Sequence, residues 1–324
     1  MLPEQFTYTD VDRASWQNGL EDFVPEKVFD AHSHIWSEAH ALPGTPDSLL
    51  RVPVDADELF AVSRQLFPNR QLAFMMLGTP VLDIDFAGHN RWLAAESQKY
   101  PDCFSAALCT PQMLPEEIIG TWQQLKYRAL KPYLIYADNP GRSPISGLIT
   151  EAQLEAANEL GLMVVLHVDK AECLNDPENL QELSYFCGKY PHVVWQLAHC
   201  GRSFNSLLLE NCIHKLKHLD HICYDLSAVC DPYSMYLLFK YEDTSRLMYG
   251  SDNIAAGMLR GTYASVNRGW KYVTDSNFSA PTYICFEQLH AMRKAALMAG
   301  LDGKALEDIF WNNAMRIYSR APES

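Results

Sequence analysis

Short apolar runs of strand length alternate with segments of helical spacing along the whole chain, and this alternation constrains the fold more than any other feature. The runs are rich in β-branched and aromatic residues, which is typical of buried strands. They cover residues 28–35, 71–77, 103–109, 129–135, 163–168, 193–198, 221–226 and 246–249. The helical segments cover residues 57–67, 90–100, 115–125, 151–160, 179–190, 206–219, 233–241, 282–298 and 304–318. Such alternation predicts an α/β fold with a parallel sheet.

Two architectures fit this order, an open doubly wound sheet and a closed eight-stranded barrel. A doubly wound nucleotide-binding domain carries a glycine-rich turn after its first strand, but here the first run ends in His32-Ser33-His34 and no G-X-G-X-X-G follows. Eight strands favour a (β/α)8 TIM barrel. We predict a single domain over residues 1–324, with residues 1–27 as an N-terminal extension. The long loops at 37–70 and 253–281, after strands 1 and 8, are interpreted as enclosing a substrate.

Polar residues stand where several of the predicted strands end. His32 and His34 leave the same face of their strand, because side chains alternate with a period of two. His167, His199 and Asp252 close the fifth, sixth and eighth runs. Active sites of such barrels lie at the carboxyl ends of the strands. The five side chains are therefore expected on one rim.

Charge and cysteine usage limit the partners and the compartment. The formal net charge of −14 disfavours nucleic-acid and anionic-membrane partners, which require a positive surface. Nine scattered cysteines with no Cys-X-X-Cys pair are typical of reduced thiols. The first residues lack the basic and apolar regions of a signal peptide, and no run of about 18 apolar residues occurs. We predict a cytoplasmic protein that acts on a small molecule, and a homo-oligomer is possible.

An ordered set of motifs resembles the amidohydrolase superfamily, in its amidohydrolase-2 branch of metal-dependent hydrolases and decarboxylases. The motifs are Asp30-Ala31-His32-Ser33-His34 on the first strand, His167 on the fifth, His199-Cys200-Gly201 on the sixth, Gly250-Ser251-Asp252 on the eighth, and the closing segment 309–318. The resemblance spans nearly the whole chain. It implies the barrel fold, a catalytic metal and a small-molecule substrate.

Four of the rim residues form a plausible ligand set. His32, His34, His167 and Asp252 offer three imidazole nitrogens and one carboxylate oxygen, which suit Zn²⁺, or alternatively Mn²⁺. We predict one ion rather than two. A bound ion lowers the pKa of its water from about 15.7 to near 7, and Asp252 beside it is the predicted general base. The alternative role for Asp252 is purely structural: it would cap the N-terminus of a following helix, since Ser-Asp-Asn is a good capping sequence.

Other residues receive roles mainly from the resemblance. In single-metal relatives the histidine equivalent to His199 polarises the substrate or transfers a proton, so His199 is predicted to be catalytic. Lys131 ends the fourth strand, where two-metal relatives carry a bridging carboxylated lysine. The alternatives are a contact with a substrate anion, which makes Lys131 a predicted substrate-binding residue, or an ion pair that supports a ligand. Arg202 could clamp a substrate carboxylate through its guanidinium fork. Asp30 shares the parity of His32 and His34 and is expected to orient a ligand.

Three reactions remain open on these residues. The first is metal-dependent hydrolysis of a C–N or C–O bond in a small amide or lactone. The second is a non-oxidative decarboxylase or hydratase acting on a small carboxylic acid. The third is a metal-free lactonase that uses the same groups. The presence of all five rim groups argues against a barrel that only binds a ligand.

Overall fold

Eight parallel strands follow one another in chain order, each pairing with the next along the chain. The computed structural model describes residues 7–45, 51–254, 256–266, 269–273 and 280–320. The strands are β1 Lys27–Ile35, β2 Gln71–Gly78, β3 Phe104–Cys109, β4 Ala129–Pro132, β5 Met163–Leu166, β6 Val194–Leu197, β7 Ile222–Asp225 and β8 Leu247–Met248. The predicted (β/α)8 TIM barrel is confirmed.

The barrel closes between its last and first strands. The backbone N–H of Ala31 donates to the carbonyl of Tyr249 at 2.9 Å, and the N–H of Asp252 donates to the carbonyl of His32 at 2.8 Å. Ser33 also forms a parallel bridge with Asn253. We call this contact between residues 31–34 and 249–253 the seam. The seam extends past the end of β8, so barrel closure occurs at the very residues predicted to bind a metal.

The connections between the strands are mainly helical. The helices are α1 Asp10–Ser15, α2 Ala56–Leu66, α3 Phe86–Gln98, α4 Pro115–Leu125, α5 Glu151–Glu159, α6 Pro177–Lys189, α7 His199–Arg202, α8 Leu207–Glu210, α9 Ile213–Leu216, α10 Pro232–Tyr241, α11 Ile284–Ala299, α12 Gly303–Glu307 and α13 Asn313–Tyr318. Side chains that accept from first-turn N–H groups cap many of them. These caps include Asp55, Asp85, Thr150, Asp176, Asp231 and Asp302. Within the described residues, none of the helices has both the length and the apolar character needed to cross a bilayer.

Several elements differ from the sequence prediction. β4 ends at Pro132 rather than at residue 135, because proline has no N–H for the ladder, and the 3₁₀ turn Leu134–Tyr136 follows. The predicted helix 206–219 is divided into α8 and α9, with Asn211, a weak helix former, between them. An antiparallel hairpin, β9 Thr262–Val266 and β10 Gly269–Val273, lies within the loop after β8. Parts of both long loops, residues 46–50, 255, 267–268 and 274–279, lie outside the described residues.

The N-terminal segment is fastened to the loop after β8 by a buried carboxylate. Asp12 is fully buried and accepts from Arg260 Nη1 at 2.9 Å and Nη2 at 2.5 Å. The same carboxylate accepts from the backbone and the hydroxyl of Thr9, both at 2.7 Å. This arrangement satisfies the charge of Asp12 and links α1 to the segment that leads into α11.

We expect Asp12→Ala to lower the free energy of unfolding by about 3 kcal/mol, because removal of one partner leaves the Arg260 guanidinium poorly compensated. Urea titration followed by circular dichroism measures the change. Asp10→Ala is the matched control, since its ion pair with Arg13 lies at the surface and surface pairs contribute little. Equal midpoints for the two variants would contradict the assignment.

Candidate active site

The two histidines of β1 meet the aspartate of the seam. His34 Nε2 lies 3.1 Å from Asp252 Oδ1, and His32 Nε2 lies 3.7 Å from the same oxygen. One candidate ligand atom from each of the three residues lies within 4.8 Å of the other two. His34 and Asp252 are 218 positions apart in the chain. The folding of the barrel therefore brings together three groups that the strand-end pattern predicted to share a rim.

A second group of nitrogen donors shares His32 with the first. Ligand atoms of His32, His167 and His199 also lie within 4.8 Å of one another. His167 Nε2 and His199 Nε2 are 2.7 Å apart, a distance that requires a shared proton or cation between the two nitrogens. The predicted ligand set is thus divided between two overlapping groups. In the second group the ring centroid of His199 lies 4.7 Å from that of His32, and the centroid of His167 lies 5.8 Å from it.

These residues fit a divalent cation. His32 Nε2 is buried and has no hydrogen-bond partner among the described residues. Its lone pair is therefore available to a cation bound by the ligand groups. Bonds of 2.0–2.1 Å to a tetrahedral ion place ligand atoms about 3.3 Å apart. The 3.1 Å and 3.7 Å separations from Asp252 Oδ1 bracket that spacing. Imidazole and carboxylate donors suit zinc and manganese.

Asp225, at the end of β7, supports both groups and was missed by the sequence reasoning. Its Oδ2 accepts from His32 Nδ1 at 3.0 Å, and its Oδ1 accepts from the backbone N–H of His199 at 3.0 Å. Burial would raise the pKa of this carboxyl, but the neighbouring His32, which donates a hydrogen bond to it, and the nearby His199 hold it well below its usual range. The ionised carboxylate accepts only, so the proton of His32 lies on Nδ1 and the Nε2 lone pair faces the group.

Burial keeps the imidazoles of His32, His167 and His199 neutral, whereas contacts with the histidines keep the Asp252 carboxylate ionised. Burial lowers the pKa of His32 to about 3 and lowers the pKa values of His167 and His199. Burial alone would raise the pKa of Asp252, but the hydrogen bond from His34, together with the nearby His199 and His32, brings it to about 2. Neutral imidazole and ionised carboxylate are the forms that bind metal ions.

The two predicted catalytic residues have strained backbones. His199 has φ 54° and Asp252 has φ 63°, in the left-handed region that costs a non-glycine residue on the order of 1–3 kcal/mol. The backbone N–H groups of both residues donate to site residues, namely Asp225 and His32. His199 Nδ1 is also 2.9 Å from the carbonyl oxygen of Ser227. These bonds hold the strained residues in place and direct their side chains into the site.

Asp30 connects β1 to the Gly250-Ser251-Asp252 segment. Its Oδ1 accepts from the N–H of His32 at 3.1 Å and from the N–H of Ser251 at 2.8 Å. Burial raises the pKa of Asp30 to about 6. Gly250 allows this close approach, since a Cβ there would lie 3.0 Å from the Cβ of His32. Asp30 therefore fixes the backbone of the ligand candidate His32 and of Ser251, the residue before Asp252.

Lys131 and Arg202, the two predicted substrate contacts, have different surroundings. Lys131 is fully buried, and its Nζ has no hydrogen-bond partner in the part of the chain that the structure describes. Burial lowers the pKa of Lys131 to about 7, against the attraction of Asp225 and Asp252. Arg202 is partly exposed, and its Nη1 donates to the carbonyl of Val168 at 3.1 Å. Only Arg202 is in contact with solvent.

Comparison with known proteins places this geometry in a family. The amidohydrolase-2 family model matches residues 29–320, which include all of the candidate ligands. The chain belongs to the amidohydrolase family. No curated protein matches the chain. As an amidohydrolase it is an enzyme, and the family assignment agrees with the resemblance carried by the strand-end motifs.

Solved amidohydrolase structures share the fold at low sequence identity. An amidohydrolase from Burkholderia multivorans with bound zinc has 14% identity and a TM-score of 0.59, covering 90% of this chain and 99% of that one. A probable 2-pyrone-4,6-dicarboxylic acid hydrolase from Acinetobacter baumannii has 13% identity and a TM-score of 0.59, with 90% and 99% covered. A 5-carboxyvanillate decarboxylase from Sphingomonas paucimobilis has 10% identity and a TM-score of 0.53, with 91% and 99% covered.

Proposed function

We propose that this amidohydrolase is a metal-dependent hydrolase that cleaves the C–N or C–O bond of a small amide or lactone. The observation that carries the proposal is the position of the Asp252 carboxylate. It lies against the nitrogens of both β1 histidines, and its side chain is 14% exposed whereas that of His32 is fully buried. A general base for hydrolysis has to be ionised, beside the ligands and within reach of water, and Asp252 meets all three conditions.

His32, His34, His167 and Asp252 would hold one ion, with zinc as the first choice and manganese as the second. A bound ion lowers the pKa of water and polarises a carbonyl group. Asp252 would accept the proton of the attacking water and return it to the leaving nitrogen or oxygen. His199 is tied at Nδ1 to Ser227, so its Nε2 is the atom that would exchange a proton with the substrate.

Two cationic side chains favour a substrate that carries a carboxylate. Arg202 uses one guanidinium nitrogen on Val168, and we assign its exposed edge to the substrate. Lys131 would add positive charge from inside the barrel, and its burial argues for a field effect rather than a direct contact. A substrate carboxylate would be attracted by both.

The hairpin β9–β10 supports the interpretation of the loop after β8 as enclosing a substrate. The hydroxyl of Tyr263 donates to the carbonyl of Phe204 at 2.7 Å, and the hydroxyl of Tyr272 donates to the carbonyl of Ala228 at 2.5 Å. The ring of Phe204 stacks on His199 with centroids 5.3 Å apart. The hairpin is thereby attached to the loops after β6 and β7, beside His199.

A non-oxidative decarboxylase or hydratase is the second candidate. The paired nitrogens of His167 and His199 at 2.7 Å favour it, because such a pair can supply a proton to carbon after CO₂ leaves. The products distinguish the two reactions. We expect ring-opened or deamidated products from a panel of small lactones, amides and acids, and release of CO₂ without any hydrolytic product would establish the lyase instead.

Metal content tests the proposed cofactor. We expect protein purified without chelator to contain about one equivalent of zinc or manganese per chain, measured by inductively coupled plasma mass spectrometry. His34→Ala should lose most of that metal, because His34 Nε2 belongs to the ligand group. His218→Ala is the control, since His218 is exposed. Full activity with far less than one equivalent of metal would support the metal-free lactonase.

A further inference from the structure

A chain of buried hydrogen bonds runs from the last helix to the first ligand histidine. The hydroxyl of Tyr318, at the end of α13, donates to Gln196 Oε1 at 2.6 Å. Gln196 Nε2 donates to Asp225 Oδ2 at 2.7 Å, and that oxygen also accepts from His32 Nδ1 at 3.0 Å. All four side chains are completely buried. These hydrogen bonds therefore connect α13 to the site through side chains that are all shielded from solvent.

The amide of Gln196 can take only one orientation in these surroundings. Besides Asp225, its Nε2 donates to the carbonyl oxygen of Ala31 at 3.0 Å. A flipped amide would place Oε1 against these two acceptors, while Tyr318 supplies the hydroxyl donor that Oε1 requires. Because Gln196 belongs to β6 and Ala31 to β1, which are not neighbours in the sheet, the amide crosses the barrel interior.

We propose that Gln196 and Tyr318 are positioning residues for the metal ligand His32, and that α13 thereby helps to set the metal affinity of the site. This inference rests on the proposed metal-dependent function. Tyr318 orients the amide, the amide fixes the Asp225 carboxylate, and the carboxylate holds the His32 proton on Nδ1. The result is a His32 Nε2 lone pair in a fixed direction. Neither positioning residue belongs to the ligand groups.

Two substitutions break the chain at different points. Gln196→Met keeps the approximate volume but removes the amide, and we expect metal affinity to fall 10–100-fold, as is usual when a partner of a ligand is lost. Tyr318→Phe keeps the ring, which stacks on Phe29 with centroids 5.3 Å apart, and removes only the hydroxyl. We expect a loss of about tenfold. The double variant should bind metal no more weakly than Gln196→Met, because both changes interrupt the same series of hydrogen bonds.

Tyr224→Phe is the matched control. Tyr224 precedes Asp225 on β7, and its buried hydroxyl donates to Glu242 Oε2 at 3.1 Å, on the side away from the site. This variant loses a buried tyrosine hydrogen bond as well, so its melting temperature should fall by an amount similar to that of Tyr318→Phe. Its metal affinity should equal that of the wild type. A purely structural role for Tyr318 predicts the same behaviour in both variants.

The measurement is competition between the protein and a chromophoric chelator for Zn²⁺, together with the visible absorption spectrum of the Co²⁺-loaded protein. Weaker binding and an altered Co²⁺ spectrum in Tyr318→Phe, with Tyr224→Phe unchanged, support the inference. Affinities and spectra within twofold of the wild type in folded Tyr318→Phe overturn it, whatever the behaviour of Gln196→Met. If the wild type itself binds no Zn²⁺ or Co²⁺, the proposed metal-dependent function fails as well.

Discussion

Asp252→Asn is expected to fold normally and to lose two to four orders of magnitude in kcat, the usual contribution of a general base. The amide cannot accept a proton from water, and it removes the negative charge next to His32 and His34. Asparagine tolerates the left-handed backbone found here, with φ 63°, so the backbone bond from residue 252 to His32 should persist. Steady-state kinetics and metal content, measured on the same preparation, separate loss of the base from loss of the metal.

Asp102→Asn is the control for that substitution. Asp102 precedes β3, at the opposite end of the barrel from the site, and the variant should keep wild-type kcat and metal content. An Asp252→Asn protein that retains its metal and turns over at a near-normal rate would refute proton transfer by this carboxylate.

Lys131→Met should stabilise the metal-free protein by an amount on the order of 5 kcal/mol at pH 6. The pKa of Lys131 is lowered by burial from 10.5 to about 7, and each unit corresponds to about 1.4 kcal/mol. Below pH 7 both the folded and the unfolded states carry the charge, so the penalty of burying it is complete. Between pH 7 and 10.5 only the unfolded state binds the extra proton, so the wild type gains stability and the advantage of the variant disappears.

Urea titrations at pH 6, 8 and 10 measure this dependence. Lys240→Met is the control, because Lys240 is exposed in the last turn of α10 and its removal takes away a charge that is not buried. A gain that is the same at all three pH values would contradict a buried charge. Destabilisation by Lys131→Met, with CO₂ found covalently attached in the intact mass of the wild type, would instead indicate a carboxylated lysine.

The barrel could be predicted from the sequence because its strands are buried on both faces. Continuous apolar runs mark such strands even where the strand itself is only two residues long, as at Leu247–Met248. The hairpin β9–β10 was missed because glycines such as Gly261 and Gly269 gave the segment the composition of a loop. The division between α8 and α9 depends on packing, which helical spacing does not record.

The site was predictable to the extent that its residues end strands. Asp225 also ends a strand, and Gln196 is a polar residue within the apolar run of β6. Both positions are therefore recognisable in the sequence, although the prediction included mainly histidines. The sequence gives no comparable indication for Tyr318, the hydrogen-bond partner of Gln196. It lies 122 positions away, and its role depends on where α13 packs. The left-handed backbone of His199 likewise follows from the assembled rim and from no local pattern.

The seam has a consequence for the order of events during biosynthesis. Residues 31–34 leave the ribosome more than 200 positions before Asp252, which contacts them in the finished barrel. Nascent chains that have not reached the eighth strand therefore lack the carboxylate of the candidate cation site, so the proposed metal ion would bind only late. Once bound, the ion would link β1 to the segment after β8 and stabilise the closed barrel, since a ligand that binds only the folded state stabilises it.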